Sequence, residues 1–397
     1  MNRCASQRRG PDRGSATRSL PGSWEARTPF WRGGSKTTTL PVDTNAFPFR
    51  AMIVICRGQN LMNLHKTILR QWMSWGSMLA ILAVAEEPSP QRKLIARPGL
   101  FQSVTEPPCS YCSTENRKGI VRPDEPVIAW VRGQHNGGAI PLRWFIAGPR
   151  VINDTYGLFF YDPDGGYVSA FTRDYGYEFY GWRGGVMVVK GKDGTLWSAL
   201  TGIAFDGPKK GQRLERIPSL MTVWSYWLML HPESTAYNLF DGKKYSLVDL
   251  PTEMTAEAKE SVNKVDSRLE PLANVLGVEV GGAMKAYPLD GAGERSCFSD
   301  EVGGESIAVF WYRPTRSAIA YSRNLNGRGL TFYADDVSPE TAPIKDKETG
   351  TRWTLAGRAV DGAMKGQELQ WVPGIQCRWY AWASEYADTK VFRPSEK

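Results

Sequence analysis

The chain has 397 residues, 42% of them hydrophobic, and a formal net charge of +8. Residues 1–61 hold 10 Lys or Arg against 3 Asp or Glu, and Lys66 and Arg70 follow, so residues 86–397 carry a net charge of −1. A nucleic-acid-binding protein needs its basic surface on the folded part of the chain. The charge distribution therefore excludes that class, and the length allows two domains that each bury a core.

The first 85 residues have the composition of an extension followed by a targeting segment. Residues 1–61 are rich in Arg, Gly, Ser and Thr without core periodicity, and we predict a disordered, wrongly assigned extension upstream of a start at Met62. Residues 62–85 then combine a basic start, an apolar run and the cleavage pattern Ala-Val-Ala, as in a secretory signal peptide. The apolar run is shorter than the ~20 residues of a membrane span. We predict export to the periplasm or the medium, with no membrane contact after cleavage.

A connecting segment, residues 86–105, leads to a first unit at residues 106–240 that opens with the sequence CSYC. Cys109 and Cys112 are compatible with a structural disulfide, a redox-active dithiol or half of a metal site. A c-type haem is excluded because Ser113, not His, follows the second cysteine. His135 lies in a glycine-containing loop and is a candidate base for which the sequence supplies no nucleophile.

Two polar motifs follow, VINDTYG and YDPDGGY. Asn153, Asp154 and Asp162 are candidate catalytic residues, since paired carboxylates can do acid–base chemistry. Asp162 and Asp164 are the residues that a hard cation would use, although we predict no metal. Asp-Pro-Asp-Gly is also a strong turn sequence, and we favour that interpretation.

The next stretch, DYGYEFYGW, is dense in aromatic residues. Tyr175, Tyr177, Tyr180 and Trp182 are predicted to form an exposed ligand-binding surface, because such side chains combine large area with a polar group.

An amphipathic helix is predicted within SLMTVWSYWLMLHPES. Trp224, Trp227 and His231 fall at helical spacing, Thr222 can cap the start, and Pro232 ends the helix. We expect His231 to pack or cap rather than catalyse, while keeping it as a catalytic candidate.

The chain repeats itself at a constant offset of 155 residues. DGTLWSALTG (193–202) corresponds to TGTRWTLAG (349–357), and the similarity continues to the end of the predicted helix. The residues that match are Gly202/Gly357, Ala204/Ala359, Asp206/Asp361, Gly207/Gly362, Gly211/Gly366, Leu214/Leu369, Pro218/Pro373, Trp224/Trp379 and Trp227/Trp382. The recurring tryptophans are interpreted as a shared core.

We therefore predict two tandem copies of one strand-rich unit, at residues 106–240 and 271–397, joined by a polar linker at 241–270. Each copy alternates aromatic and β-branched runs with Gly, Asp and Pro turns, which is typical of strands. Each ends in one amphipathic helix, the second around Trp379–Tyr386. The predicted fold class is α+β, rich in β-strands, with pseudo-two-fold symmetry and intramolecular pairing of the two units.

As a set, these motifs resemble the bacterial DUF3179 family, a domain of unknown function. The resemblance covers roughly residues 105–397, and a duplicated form with a signal peptide looks like those of planctomycetes. Members typically carry Tyr-Cys-Pro and, before the Asn-Asp pair, His-Glu. This chain has Tyr161-Asp162-Pro163 and Tyr312-Arg313-Pro314 at the first motif, and Pro149-Arg150 and Arg295-Ser296 at the second. Any thiol–histidine chemistry that the resemblance implies is therefore absent from these positions in both copies.

The sequence leaves two functional hypotheses. The first is an exported binding or scaffold module, because both copies lack the thiol and the histidine. The second is a thiol-redox oxidoreductase that uses Cys109 and Cys112 beside the first unit. Neither a cofactor nor a ligand can be predicted from the residues.

Overall fold

A computed structural model describes residues 92–107, 121–132, 136–143, 149–237, 252–262 and 264–393. All of them belong to the unit formed by residues 83–397, one of two compact units of the chain. The predicted extension and signal peptide, together with Cys109, Cys112 and His135, lie outside the described residues. Among the described helices, none is both long and apolar enough to cross a membrane.

The part of the chain up to residue 237, here the first half, is built mainly from strands. The strands are β1 Leu94–Ala96, β2 Ser103–Thr105, β3 Pro126–Arg132, β4 Asn136–Pro141, β5 Val151–Asp154, β6 Gly157–Asp162, β7 Tyr167–Phe171, β8 Glu178–Arg183, β9 Val186–Lys190, β10 Leu196–Ser198, β11 Ala204–Asp206, β12 Leu220–Val223 and β13 Thr235–Ala236. The helix α1, Trp224–Leu230, follows β12 without a break.

Residues 264–393, here the second half, repeat this composition after a short helix α2, Ala256–Ser261. The strands are β14 Asn274–Val280, β15 Ala283–Pro288, β16 Arg295–Val302, β17 Glu305–Tyr312, β18 Ser317–Ser322, β19 Asn324–Leu325, β20 Arg328–Gly329, β21 Phe332–Ala334, β22 Ile344–Asp346, β23 Arg352–Trp353, β24 Trp371–Val372, β25 Gly374–Arg378 and β26 Lys390–Val391. A 3₁₀ turn, Arg313–Thr315, precedes β18, and the helix α3, Trp379–Glu385, follows β25. The predicted α+β class, rich in strands, is confirmed.

The described residues of the first half form three sheets. Their strand orders are β1-β8-β9-β10-β11, β2-β5-β6-β7 and β12-β3-β4-β13. Strands β1 and β2 belong to the segment predicted as a connection, residues 86–105, and they pair with β8 and β5 instead of linking units. The second half contains sheets of order β25-β14-β15-β26, β16-β17-β18-β24, β21-β22-β23 and β19-β20.

One sheet in each half has the same design. In β12-β3-β4-β13 and in β25-β14-β15-β26 the first three strands are antiparallel and the last strand pairs parallel to its neighbour. In each, the outer strand that precedes the helix runs directly into it, and the two helices begin at Trp224 and Trp379, 155 residues apart.

The two amphipathic helices lie where they were predicted, but the predicted cap of the first helix is wrong. Trp224 and Trp227 are buried on the inward face of α1, as are Trp379 and Trp382 on α3. Thr222, however, lies in β12 rather than at the cap, because the strand continues to Val223 and the helix starts without a side-chain cap. The first two N–H groups of the helix, those of Trp224 and Ser225, donate to the carbonyl oxygens of Glu125 and Pro123, so a capping side chain is not needed for them.

Each of the two helices packs on both halves. Trp224 and Trp227 of α1 lie in a cluster of first-half residues, and the Trp382 ring of α3 packs on Gly277 of β14. A second cluster joins the first-half strands β5 to β10 with β14, β15 and β25 and includes Trp379, Tyr380 and Trp382 of α3. The cluster of second-half strands and loops includes Leu220 of β12 and Tyr226 of α1. Each helix therefore joins the core of its own half to that of the other half.

The predicted linker at 241–270 also takes part in the packing. Its helix α2 lies against β1 and β8, with Thr255 capping its start. The Ser261 hydroxyl oxygen accepts a 2.7 Å hydrogen bond from the Gly185 N–H, so this helix is anchored on the first half.

Candidate functional site

A cleft of about 410 Å³ opens where the two halves meet. One wall is the extended segment Arg213–Arg216 of the first half, which forms isolated bridges with Ile203 and Phe171. The opposite wall comes from the second half, namely β14, its turn to β15, the start of β25 and the helix α3. The volume lies within the range of about 300–1,000 Å³ that small-molecule sites occupy.

A carboxylate held by three hydrogen bonds lies on the second-half wall. The Arg213 guanidinium donates to both oxygens of Glu279, at 2.7 and 2.8 Å, and the Tyr386 hydroxyl donates at 2.6 Å. Burial alone would raise the pKa of Glu279, but the bonds from Arg213 and Tyr386 outweigh it and hold that pKa below its ordinary value. Glu279 is therefore ionised, and the three hydrogen bonds fix the position of its carboxylate.

A second arginine lies deeper in the cleft. The Arg216 guanidinium donates to the carbonyl oxygen of Leu200 and lies over the Phe171 ring, 5.2 Å from its centroid. Burial lowers the pKa of Arg216, although the guanidinium remains protonated. Within the described residues this cation has no carboxylate within ion-pair distance.

The floor of the cleft is apolar. Trp382 and Ile375 are buried, Leu214 is half-buried, and the Trp382 indole N–H donates to Thr389 Oγ1 at 2.8 Å. Close packing holds the ring in place, since a methyl group added at Gly277 would come within 2.2 Å of it. The arrangement can hold a small molecule between an apolar floor and polar walls.

The predicted residues Asn153 and Asp154 lie elsewhere and make structural bonds. The Asn153 side chain exchanges two hydrogen bonds with the backbone of Tyr177, at 2.9 and 3.0 Å. Asp154 accepts from the Tyr237 hydroxyl and from the Thr155 N–H. Both side chains are buried and tie β5 to neighbouring segments.

Asp162 and Asp164 form a separate, buried acid pair in the predicted turn between β6 and β7. Asp162 accepts from the N–H groups of Asp164 and Met187, each at 3.2 Å, and Asp164 accepts from the Thr255 hydroxyl at 3.1 Å. Burial and then the charge of Asp164 raise the pKa of Asp162 to about 7, against the opposing charge of Arg150. Burial also raises the pKa of Asp164.

Both carboxyl groups of this pair are enclosed by the protein. No group of three or more His, Cys, Asp or Glu that could hold a metal occurs in the residues described. The turn buries both carboxyl groups, with 1% of Asp162 and 6% of Asp164 exposed. The acid pair therefore belongs to the core and bears on stability.

The predicted aromatic surface is not a surface. Tyr177 and Trp182 are core residues, while Tyr175 and Tyr180 are only half-buried. Tyr175 and Tyr177 precede β8, and a register shift between Phe179 and Gly181 interrupts the alternation of that strand, so that Tyr180 is half-buried while Trp182 is buried. The four side chains cannot form one exposed platform.

His231, the remaining candidate among the described residues, makes a packing contact. His231 ends α1 and stacks on Trp227, with ring centroids 4.2 Å apart, and burial lowers its pKa. Cys297 and Cys377 are free thiols whose pKa values burial raises, which disfavours the thiolate.

The cleft residues Arg213, Arg216 and Glu279 were not identified from the sequence. The available signal was a break in the repeat, because the offset of 155 places Glu368 opposite Arg213 and Trp371 opposite Arg216. At both positions the charge of the first segment is reversed or lost in the second, so these arginines are not part of the repeated pattern.

Comparison with known proteins identifies one family. The family model described as "Protein of unknown function (DUF3179)" matches residues 184–393, just over half of the chain. The match includes the cleft and the whole second half, whereas the motifs at residues 151–168 precede it. No curated protein and no solved structure matches the chain. By this match over more than half of its length, the chain belongs to the DUF3179 family.

Proposed function

We propose that the chain is a binding protein that holds a small organic molecule in the cleft between its halves. The cleft supports the proposal, because a carboxylate held by hydrogen bonds, a more deeply placed arginine and an apolar floor surround about 410 Å³ of space. Such a combination of an apolar body with a few fixed polar groups is typical of ligand sites.

The proposal includes an internal duplication whose copies pair within the chain. The constant offset of 155 residues supports it, and so do the matching strand orders of two sheets and the matching starts of α1 and α3. By the sheet register, Val131 in the first copy is equivalent to Glu279 in the second. By the offset of 155 residues, His231 is equivalent to Tyr386. The charged residues of the cleft therefore do not recur at the equivalent positions of the other copy, so we expect one binding site per chain.

Blocking the mouth of the cleft tests the proposed function. Pro373 is exposed and lines the cleft, so Pro373→Trp should place an indole across the opening. We expect wild-type protein to bind members of a fragment library of organic acids, sugars and amines, and Pro373→Trp to lose them, in ligand-observed NMR.

The repeat offers a matched control. Pro218 is the exposed counterpart of Pro373 and does not line the cleft, so Pro218→Trp should bind the same fragments as wild type. Absence of any fragment binding to wild type would contradict the proposed function, as would equal binding to both variants.

We also propose that the protein is exported, on the basis of the signal-like residues 62–85. Intact-mass analysis of protein from its own cells should find an N-terminus near Glu86. A mass that begins at Met1 would contradict export.

A further inference from the structure

We infer that the cleft recognises a small organic carboxylate, whose anionic group binds the Arg216 guanidinium. This inference rests on the proposed function and specifies its ligand class. It follows from the direction, the pairing and the surroundings of the charged residues in the cleft.

The first observation is the direction of the wall residues. Along the extended segment, Arg213 and Glu215 are exposed, whereas Leu214 and Arg216 are half-buried. Alternation of this kind is the two-residue period of an extended chain. Arg216 thus lies deeper in the cleft with Leu214, whereas Arg213 and Glu215 lie at the more exposed rim, where Arg213 pairs with Glu279.

The second observation is the imbalance of charge at depth. Arg213 and Glu279 neutralise each other in a bidentate pair. Arg216 makes one hydrogen bond, to the Leu200 carbonyl, and no ion pair within the described part of the chain. A partly desolvated guanidinium offers further N–H donors, and an anion can compensate its charge.

The third observation is the chemistry of the surroundings. A guanidinium fork matches a carboxylate bidentately, while the floor of Leu214, Ile375 and Trp382 suits a compact apolar body. The volume of about 410 Å³ is towards the small end of ligand sites. A monocarboxylate with one ring or a short branched chain satisfies both the cation and the floor.

Three probes that differ mainly in charge test this inference without altering the protein. Benzoate, benzamide and benzylamine place an anion, a neutral amide and a cation on the same ring. We expect benzoate to bind at least about tenfold more tightly than benzamide in calorimetry, as expected for one charge-assisted pair worth ~1.4 kcal/mol or more. Benzylamine should not bind, and higher salt should weaken benzoate.

Variants then assign the effect to one residue. Arg216→Gln should weaken benzoate by about tenfold or more and leave benzamide unchanged, while Arg216→Lys should fall between wild type and Arg216→Gln. Arg328→Gln removes a charge from the exposed hairpin strand β20 and should leave benzoate binding unchanged. Should Arg216→Gln fail to fold, the three probes on wild type still decide the question.

The outcomes separate the two proposals. Equal affinity for benzoate and benzamide, or no effect of Arg216→Gln, would overturn the carboxylate inference while fragment binding at the cleft stands. If neither the probes nor the library bind to the wild-type protein, both proposals are wrong.

Discussion

Asp162→Asn is expected to remove a loss of stability that the wild-type protein undergoes as the pH rises from 5 to 8. The folded-state pKa of Asp162 is raised to about 7, chiefly by burial, whereas an unfolded aspartate titrates near 4. The folded state therefore holds a proton that the unfolded state releases. Stability is fully present below the unfolded pKa and is lost as the pH rises through about 7, by up to ~1.4 kcal/mol per pH unit for one proton.

The measurement is urea unfolding of both proteins at intervals between pH 5 and pH 8. The free energy of unfolding of Asp162→Asn should gain on that of the wild type as the pH rises. Glu125, whose pKa burial also raises to about 7, remains in both proteins and cancels in the difference. A difference that stays constant across this range would show that Asp162 is ionised throughout.

Asp300→Asn is the matched control. Burial would raise the pKa of Asp300, but hydrogen bonds from Lys285 and Tyr287 keep it below the ordinary value. Its stability contribution is present above the unfolded pKa and is lost only as the pH falls through the still lower folded pKa. The difference between Asp300→Asn and wild type should therefore be flat from pH 5 to pH 8.

Trp379→Ala is expected to loosen the first half of the molecule, although Trp379 belongs to the second half in sequence. Its side chain is fully buried in the cluster that joins the first-half strands β5 to β10 with β14, β15 and β25. Replacing a buried tryptophan with alanine costs about 3–5 kcal/mol. Hydrogen exchange should accelerate most in β8 and β9, nearly 200 residues away along the chain, and the midpoint of urea unfolding should fall.

Trp353→Ala provides the comparison. Trp353 is equally buried but belongs to the cluster of second-half strands and α1, so its exchange changes should centre there. If Trp379→Ala instead accelerated exchange only within the second half, the packing of α3 on the first half would be wrong.

The two departures from the family motifs that the resemblance implies in the first half are neighbours in space. Arg150 stands at the position of the family glutamate and Asp162 at that of the cysteine, and each shifts the pKa of the other through its charge. Asp164, two residues after Asp162, also lies close enough to Arg150 to feel its charge. A buried carboxyl group with a guanidinium nearby thus occupies the place where the resemblance implies thiol chemistry, which agrees with a binding role.

Local pattern determined much of this protein. Runs of aromatic and β-branched residues between Gly, Asp and Pro predicted strands, and Trp224 and Trp227 at helical spacing predicted a buried helical face. The constant offset of 155 residues predicted where the second helix begins. These features depend on side chains within a few positions of one another, so the sequence carries them directly.

Only the tertiary structure decided that each helix packs on both halves, that Tyr177 and Trp182 are core residues, and that Arg213 meets Glu279. Periodicity states that a face is apolar, but it does not state which of two similar sheets covers it. The cleft joins residues 66 positions apart in an ion pair, and the acid pair lies beneath residues from three separate segments. Such contacts arise from the packing of sheets on one another, which no local pattern specifies.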